Sequence, residues 1–379
     1  MKFNFKIPTL MMSLCLISAM AFAQDAPRPT TVSGVIFANY AMHFGDDRPD
    51  NDLRKHGFDI ERVYLNFRRP IADKWSIRVT TDFYQRAADE RGELYIKYAL
   101  AEYRDKFGED FTTRVNFGVI AHPINNYLNG LGDMRWLTRN MIRQEGLFGS
   151  ADLGVSAQLN YQKLAMINLS VLNGEIYSNA IEQAFEHYKG KQANLLAAVT
   201  PIENLNIFGF GSYEKYFEGR EAMFLGGGLG WTDKFIKAGV SFAQVLETRP
   251  YARHTGIDGT VLPSADRFGP NDVNGRTRGA NFGEGLYLDS WVNVNFQDII
   301  GMPITFNGRV SYVIPDSDNI NGDTDNVMTV AFGPGYKLND NVQFALWTTM
   351  IKYGDNLRGA ELTDSIDEMT VQFKTEIRW

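Results

Sequence analysis

Sixteen short stretches of this 379-residue chain alternate apolar with polar residues, and that repeat limits the fold more than any other feature. In "WSIRVTTDF", Trp75, Ile77, Val79, Thr81 and Phe83 share one parity, while Ser76, Arg78, Thr80 and Asp82 share the other. Successive strand residues point to opposite faces, so the stretch reads as a strand with one apolar and one polar face. "DLGVSAQLNY", "ITFNGRVSY" and the terminal "DEMTVQFKTEIRW" repeat the pattern. The predicted strands are 31–44, 58–68, 75–86, 93–103, 112–120, 152–162, 165–174, 191–200, 205–217, 221–231, 235–247, 285–297, 304–314, 326–337, 341–354 and 367–379.

The connections alternate in length. Those after even-numbered strands are short, such as "RPIADK", "QK" and "ND". Most after odd-numbered strands are long: 45–57, 121–151, 175–190, 248–284, 315–325 and 355–366, with 87–92 and 218–220 as exceptions. Short turns at one end and long loops at the other match a membrane barrel, with the turns periplasmic and the loops extracellular. A soluble sandwich packs its apolar faces into one core and repeats about seven to nine strands. Here the apolar faces need lipid and the polar faces need water, which a barrel in a bilayer provides. Closure also removes sheet edges, an obligation in hydrocarbon. The predicted fold class is therefore all-β, a transmembrane antiparallel β-barrel of about 16 strands. A large secreted β-protein is the alternative. In the barrel the last strand closes on the first, Phe373 and Trp379 face lipid, and Trp379 joins the interfacial aromatic girdle.

The start of the chain agrees. Lys2 and Lys6 precede an apolar run from Ile7 to Met20 and then Ala21-Phe22-Ala23. That order reads as a secretory signal peptide over 1–23, leaving 24–379 as the barrel. An uncleaved anchor is the alternative, but the run is shorter than the roughly 20 residues a membrane helix needs. Cys15 is the only cysteine, so the exported chain carries neither disulfide nor thiol chemistry. Residues 1–23 hold two lysines and no acid, so 36 basic residues then stand against 45 acidic ones, a net charge of −9. That balance argues against nucleic acid as a partner. The mean hydropathy of −0.26 looks soluble. A membrane barrel looks the same, because each strand is only half apolar.

Four stretches add a resemblance. "FDIERVYLNFRRPIADKWSIRVTTDF" (58–83), "VNFGVIAHPINN" (115–126), "LFGSADLGVSAQLNY" (147–161) and "LSVLNGE" (169–175) are similar to the phosphate-selective porin O/P family of Gram-negative outer membranes. The resemblance implies a sixteen-stranded, usually trimeric barrel narrowed by its third extracellular loop. "KTEIRW" is similar to the terminal signal that outer-membrane assembly machinery reads in porins, with Phe373 and Trp379 as its aromatic residues. The partners implied are outer-membrane lipid and lipopolysaccharide, the assembly machinery, further copies of the chain in a trimer, and small solutes or anions.

The connection 121–151 is too long for a simple turn. Within it Arg135, Arg139 and Arg143 are spaced i, i+4, i+8, so a helix there places them in one stripe. Met134, Leu137, Met141 and Ile142 offer an apolar side to pack on the wall. Folded inward, the stripe is the predicted pore constriction, and fixed positive charge in a narrow pore favours anions. A surface helix with solvated arginines is the alternative. The polar strand faces place Arg62, Arg68, Arg78, Asp82, Arg114, Asp152, Asp289, Arg309 and Glu376 on the predicted lumen wall, either lining water or paired as wall salt bridges. Asp46, Asp47 and Asp50 fall in a loop far from any constriction.

Other signals are weak. "DSDNINGDTDN" (316–326) lacks the helix-loop-helix calcium spacing and reads as a solvated loop. "GGGLG" (226–230) precedes no helix, so it is no phosphate cradle; Gly226, Gly228 and Gly230 give a strand a bare inner face. His43, His56, His122, His187 and His254 are scattered and assemble no nucleophile motif. No metal, cofactor or enzymatic chemistry is expected. The expected function is passive diffusion of small hydrophilic solutes and ions with an anion preference. A phosphate or polyphosphate-selective channel is the alternative, and a non-conducting adhesin or structural barrel using 248–284 is one from another class.

Overall fold

The computed structural model of the chain describes residues 29–44, 56–86, 91–144, 147–174, 191–215, 221–248, 285–314, 326–353 and 368–379. The predicted signal peptide, Asp46, Asp47, Asp50, His187, His254, the 248–284 loop beyond Thr248 and the acidic segment before Asn326 lie outside these residues.

Sixteen strands follow in order: β1 (Thr31–Phe44), β2 (His56–Pro70), β3 (Trp75–Arg86), β4 (Arg91–Phe107), β5 (Phe111–Ala121), β6 (Ala151–Tyr161), β7 (Ala165–Leu172) and β8 (Lys191–Ile202). The second half holds β9 (Leu205–Lys215), β10 (Glu221–Thr232), β11 (Ile236–Thr248), β12 (Leu286–Asn295), β13 (Ile304–Ile314), β14 (Val327–Lys337), β15 (Val342–Tyr353) and β16 (Glu368–Arg378). Each pairs antiparallel with its sequence neighbours, and β16 returns to β1, so the sheet is a closed barrel. Val35 lies opposite Arg378, and Phe44 lies opposite Met369. The last residue seals the seam. Trp379 N donates to Gly34 O at 3.2 Å, and Gly34 N donates to Trp379 O at 3.1 Å. The indole lies on the bare backbone of Gly34, where a Cβ would sit 2.1 Å from Trp379 Cζ2.

The outward parity is the apolar one. Phe67, Ile77, Val155, Leu195, Phe242, Leu346, Phe373 and Trp379 are all exposed. An apolar band around a closed barrel gains roughly 25 cal/mol per Å² when lipid covers it. The chain is therefore built to span a membrane with strands.

The inner face departs from expectation. The polar parity does point inward, but not all of it lines water. Phe208, Phe210, Phe224, Tyr287, Trp291 and Trp347 also point inward and are buried. They join Ile124, Leu128, Leu131, Trp136, Met141 and Phe148 of the β5–β6 connection in one apolar cluster inside the barrel. Interior aromatics on β9, β10, β12 and β15 thus give that connection a surface to pack on. The glycine run of β10 makes room for two of these aromatics. A Cβ on Gly226 would lie 2.3 Å from Phe210 Cζ, and one on Gly228 would lie 2.8 Å from Phe208 Cζ.

Two bulges re-aim side chains. The β1–β2 register shifts at Phe37/Ala38 and skips Glu61; the β3–β4 register shifts at Thr80/Thr81 and skips Lys97. An extra strand residue breaks the alternation and can turn a side chain to the other face. Glu61 accepts from Asn39 Nδ2 at 2.8 Å and from Lys374 Nζ at 2.5 Å. Lys97 is buried beside Tyr98 on the inner side.

Candidate pore constriction and lumen wall

The β5–β6 connection begins with His122 in an extended conformation and Pro123 at the first helical position, where its missing N–H does no harm. Helix α1 spans Pro123–Gly132. Asp133 stops it in the left-handed conformation (φ 51°), its N–H capping Asn129 O. The helix runs back along the inside of the wall. Leu131 lies against Gly230, Gly132 against Trp291, and Asp133 meets Lys237 Nζ at 2.6 Å. Tyr127 packs on Phe208 with centroids 5.4 Å apart. The chain then crosses to β2 and β13 before a short helix, α2 (Met141–Gln144). A segment between β5 and β6 reaches β2, β10, β11 and β13 together only by lying within the barrel.

Polar contacts tie the loop to itself and to the wall. Asn140 Nδ2 donates to Asn125 Oδ1 at 2.6 Å and to Asn129 Oδ1 at 2.8 Å. Asn125 Nδ2 donates to Gly149 O at 3.1 Å. His122 stacks on Phe148 at 4.5 Å, so the first and last turns of the loop touch, and its Nε2 meets Gln192 Oε1 at 3.1 Å. Burial holds this imidazole neutral, with its pKa lowered to about 4.

The arginine stripe is a correction. Arg135, Arg139 and Arg143 do not share a helix, because α1 lies before them and only Arg143 sits on α2. Gly130, Gly132 and the left-handed Asp133 end the helix, and burial of Met134, Trp136, Leu137, Met141 and Ile142 then dictates an irregular path. The apolar residues predicted to pack on the wall do so. Arg135 and Arg139 are exposed within the barrel and Arg143 is half-buried. Arg135 reaches the β2 wall, donating to Tyr64 Oη at 2.8 Å with its guanidinium 5.1 Å from the ring centroid. The same oxygen accepts from Lys97 Nζ at 2.6 Å.

The wall residues named from sequence face inward in two groups. Asp289 and Arg309 form a buried pair under the loop, and Arg309 also donates to the backbone carbonyl of Arg139. They anchor the loop and are not open to the lumen. Asp152 is likewise buried, accepting from Leu153 N at 2.7 Å. Glu376 is buried and pairs with Arg378 at 2.8 Å. Arg62 meets Asp82 at 3.0 Å, and Lys97 lies 3.7 Å from the same carboxylate, which is fully buried.

The open wall is β2–β6. Arg68 lies directly opposite Arg78, and Arg104 directly opposite Arg114. Glu102 accepts from Arg104 at 2.8 Å and from Arg68 at 3.4 Å. Arg78 donates to Asn66 at 2.8 Å and Thr80 at 3.0 Å, and Arg114 to Gln158 at 2.7 Å. Neither of the latter two pairs with a carboxylate among the described residues. Glu102, Arg104 and Lys97 were not singled out in the sequence. Glu102 and Arg104 share parity with the outward-facing Leu94 and Ile96 and turn inward only past the bulge at Lys97, so a parity count misses both.

The fold is that of the outer-membrane porins of Gram-negative bacteria. No protein-family model and no curated sequence matches the chain, so the finer resemblance to the phosphate-selective group finds no support there. Solved structures do match. An anion-selective porin from Comamonas acidovorans superposes with a TM-score of 0.61 at 9% identity, covering 93% of this chain and 99% of that one. The outer membrane channel DcaP of Acinetobacter baumannii gives 0.57 at 12% identity, covering 94% and 99%. Salmonella typhi OmpF gives 0.60 at 11% identity, covering 93% and 98%. At such identities the likeness carries the fold, and the solute must be argued from the residues.

Proposed function

We propose that this barrel is an outer-membrane porin for passive diffusion of small hydrophilic solutes and ions, with a preference for anions. The observation that carries it is the excess of positive charge on the β2–β6 wall: among the described residues Arg78 and Arg114 hydrogen-bond only neutral partners, each facing a second arginine. Fixed positive charge in a confined aqueous path raises the local concentration of anions. Arg135, Arg139 and Arg143 add to it from the loop. Passive flow needs no chemical step, and the protein is read as a channel and not an enzyme. A signal peptide over 1–23, recognition of Phe373 and Trp379 by the assembly machinery, contact with lipopolysaccharide and assembly as a homotrimer belong to the same reading.

Phosphate or polyphosphate selectivity is the second reading, favoured by the paired arginines and opposed by Glu102 and Asp82 among them. Conductance of the purified protein in planar bilayers under a KCl gradient tests the first. An anion-favouring reversal potential supports it. Saturating block by low phosphate would favour the second reading. A folded barrel without conductance would favour the adhesin or structural role.

A further inference from the structure

We propose that the lumen recess beside the short turns of β4–β6 is a binding site for hydroxylated organic anions, molecules that join a phosphate or carboxylate to a polyol. The proposal deepens the anion-porin reading and rests on it. The recess has a volume of about 620 Å³ and is bordered by Arg104, Lys106, Thr112, Arg114, Gln158 and Asn160. That volume lies within the roughly 300–1,000 Å³ of small-molecule sites. Inorganic phosphate would fill little of it.

The register sorts the lining into two rows. Arg104, Arg114 and Gln158 lie opposite one another across β4, β5 and β6, and Lys106, Thr112 and Asn160 form the next row. Rows two residues apart on one strand face are about 7 Å apart. The first row offers a guanidinium pair, whose planar fork suits a phosphate or carboxylate. The second offers a hydroxyl and an amide, which suit sugar hydroxyls. Asp105 also borders the recess, but its carboxylate is held by Lys74 at 2.8 Å and Tyr103 at 2.7 Å. No ion pair among the described residues engages Lys106 or Arg114.

The arginine placement itself asks for an anion. Like charges directly opposite across a sheet are destabilising. Glu102 answers Arg104 alone of this pair. An anion seated between Arg104 and Arg114 removes the remaining repulsion, so the site is prepared for a ligand at the cost of its own empty state.

The test is block of chloride current through the purified protein in planar bilayers by glucose 6-phosphate, with inorganic phosphate and glucose as comparisons. Glucose 6-phosphate is expected to block at a concentration about fivefold below that of inorganic phosphate, and glucose not at all. Arg114→Gln and Lys106→Gln are each expected to weaken the block severalfold while the barrel keeps its heat-modifiable mobility on a gel. Equal block by inorganic phosphate overturns the proposal, as does block unchanged in both folded variants. The reversal potential in the same traces separates the two claims. A cation-preferring channel sinks the anion preference on which this site rests, whereas an anion-preferring channel that ignores glucose 6-phosphate sinks only this site.

Discussion

Arg135, carried by the loop inside the barrel, donates to the phenolic oxygen of Tyr64 on the opposite wall at 2.8 Å. Lys97 donates to the same oxygen and lies 4.2 Å from the ring centroid, so one tyrosine holds both the loop guanidinium and a buried lysine of the wall. The contact joins a segment between β5 and β6 to β2. It fixes where a mobile arginine would otherwise place its charge.

Removing that charge should change selectivity more than it changes conductance. Arg135→Gln is expected to lower the chloride-to-potassium permeability ratio roughly twofold, the scale of losing one of a few fixed charges in a narrow path. Tyr64→Phe should move the ratio in the same direction by less, because the ring still faces the guanidinium. Reversal potentials of the two variants under one salt gradient check the order.

Asp289 and Arg309 should behave as a buried pair. Removing one partner leaves a buried charge, which costs on the order of 3–5 kcal/mol. Asp289→Asn is expected to lower the melting temperature and, because Arg309 also holds the Arg139 carbonyl, to increase current noise as the loop loosens. Replacing both residues with apolar ones of similar volume should recover melting better than either single change. A double-mutant cycle on thermal denaturation in detergent measures this.

Gly228 of β10 has no room for a side chain against the wall that carries the loop. A Cβ on Gly228 would lie 2.1 Å from Val240 O as well as close to Phe208. Gly228→Val should cost about 1–3 kcal/mol from overpacking and push the apolar cluster out of register. Proteolysis of the loop in the folded barrel, compared with wild type, reads the displacement.

Acid should weaken the clasp between the two ends of the loop. His122 is buried with a pKa lowered from 6.5 to about 4, so the unfolded chain binds its proton first as the pH falls. Its contribution is complete above pH 6.5 and is lost as the pH drops towards 4. That shift is worth about 3 kcal/mol at most. His122→Gln, which keeps a polar partner for Gln192, should flatten the difference between melting at pH 7.5 and pH 4.5. A variant with the wild-type pH dependence would assign the acid sensitivity elsewhere.

The strands were legible because lipid outside and wall inside impose a period of two. β1, β3 and β13 begin and end where the alternation does. The lumen was less legible. Phe208 and Phe210 share parity with Ser212 and Glu214, and nothing in that stretch says an inner face will meet a folded-in loop. The arginine spacing suggests a helix over 135–143, but Pro123 at one end and Gly132-Asp133 at the other bound the helix that forms. Lys97 and Glu61 were hidden because a bulge leaves no trace in a parity count.

The reversal potential of the wild-type channel under a KCl gradient tests the central claim most directly. The basic β2–β6 wall and Arg135 predict a potential displaced towards the chloride equilibrium value. A potential displaced towards that of potassium would contradict the account, because the arginines would then not govern the path that ions take.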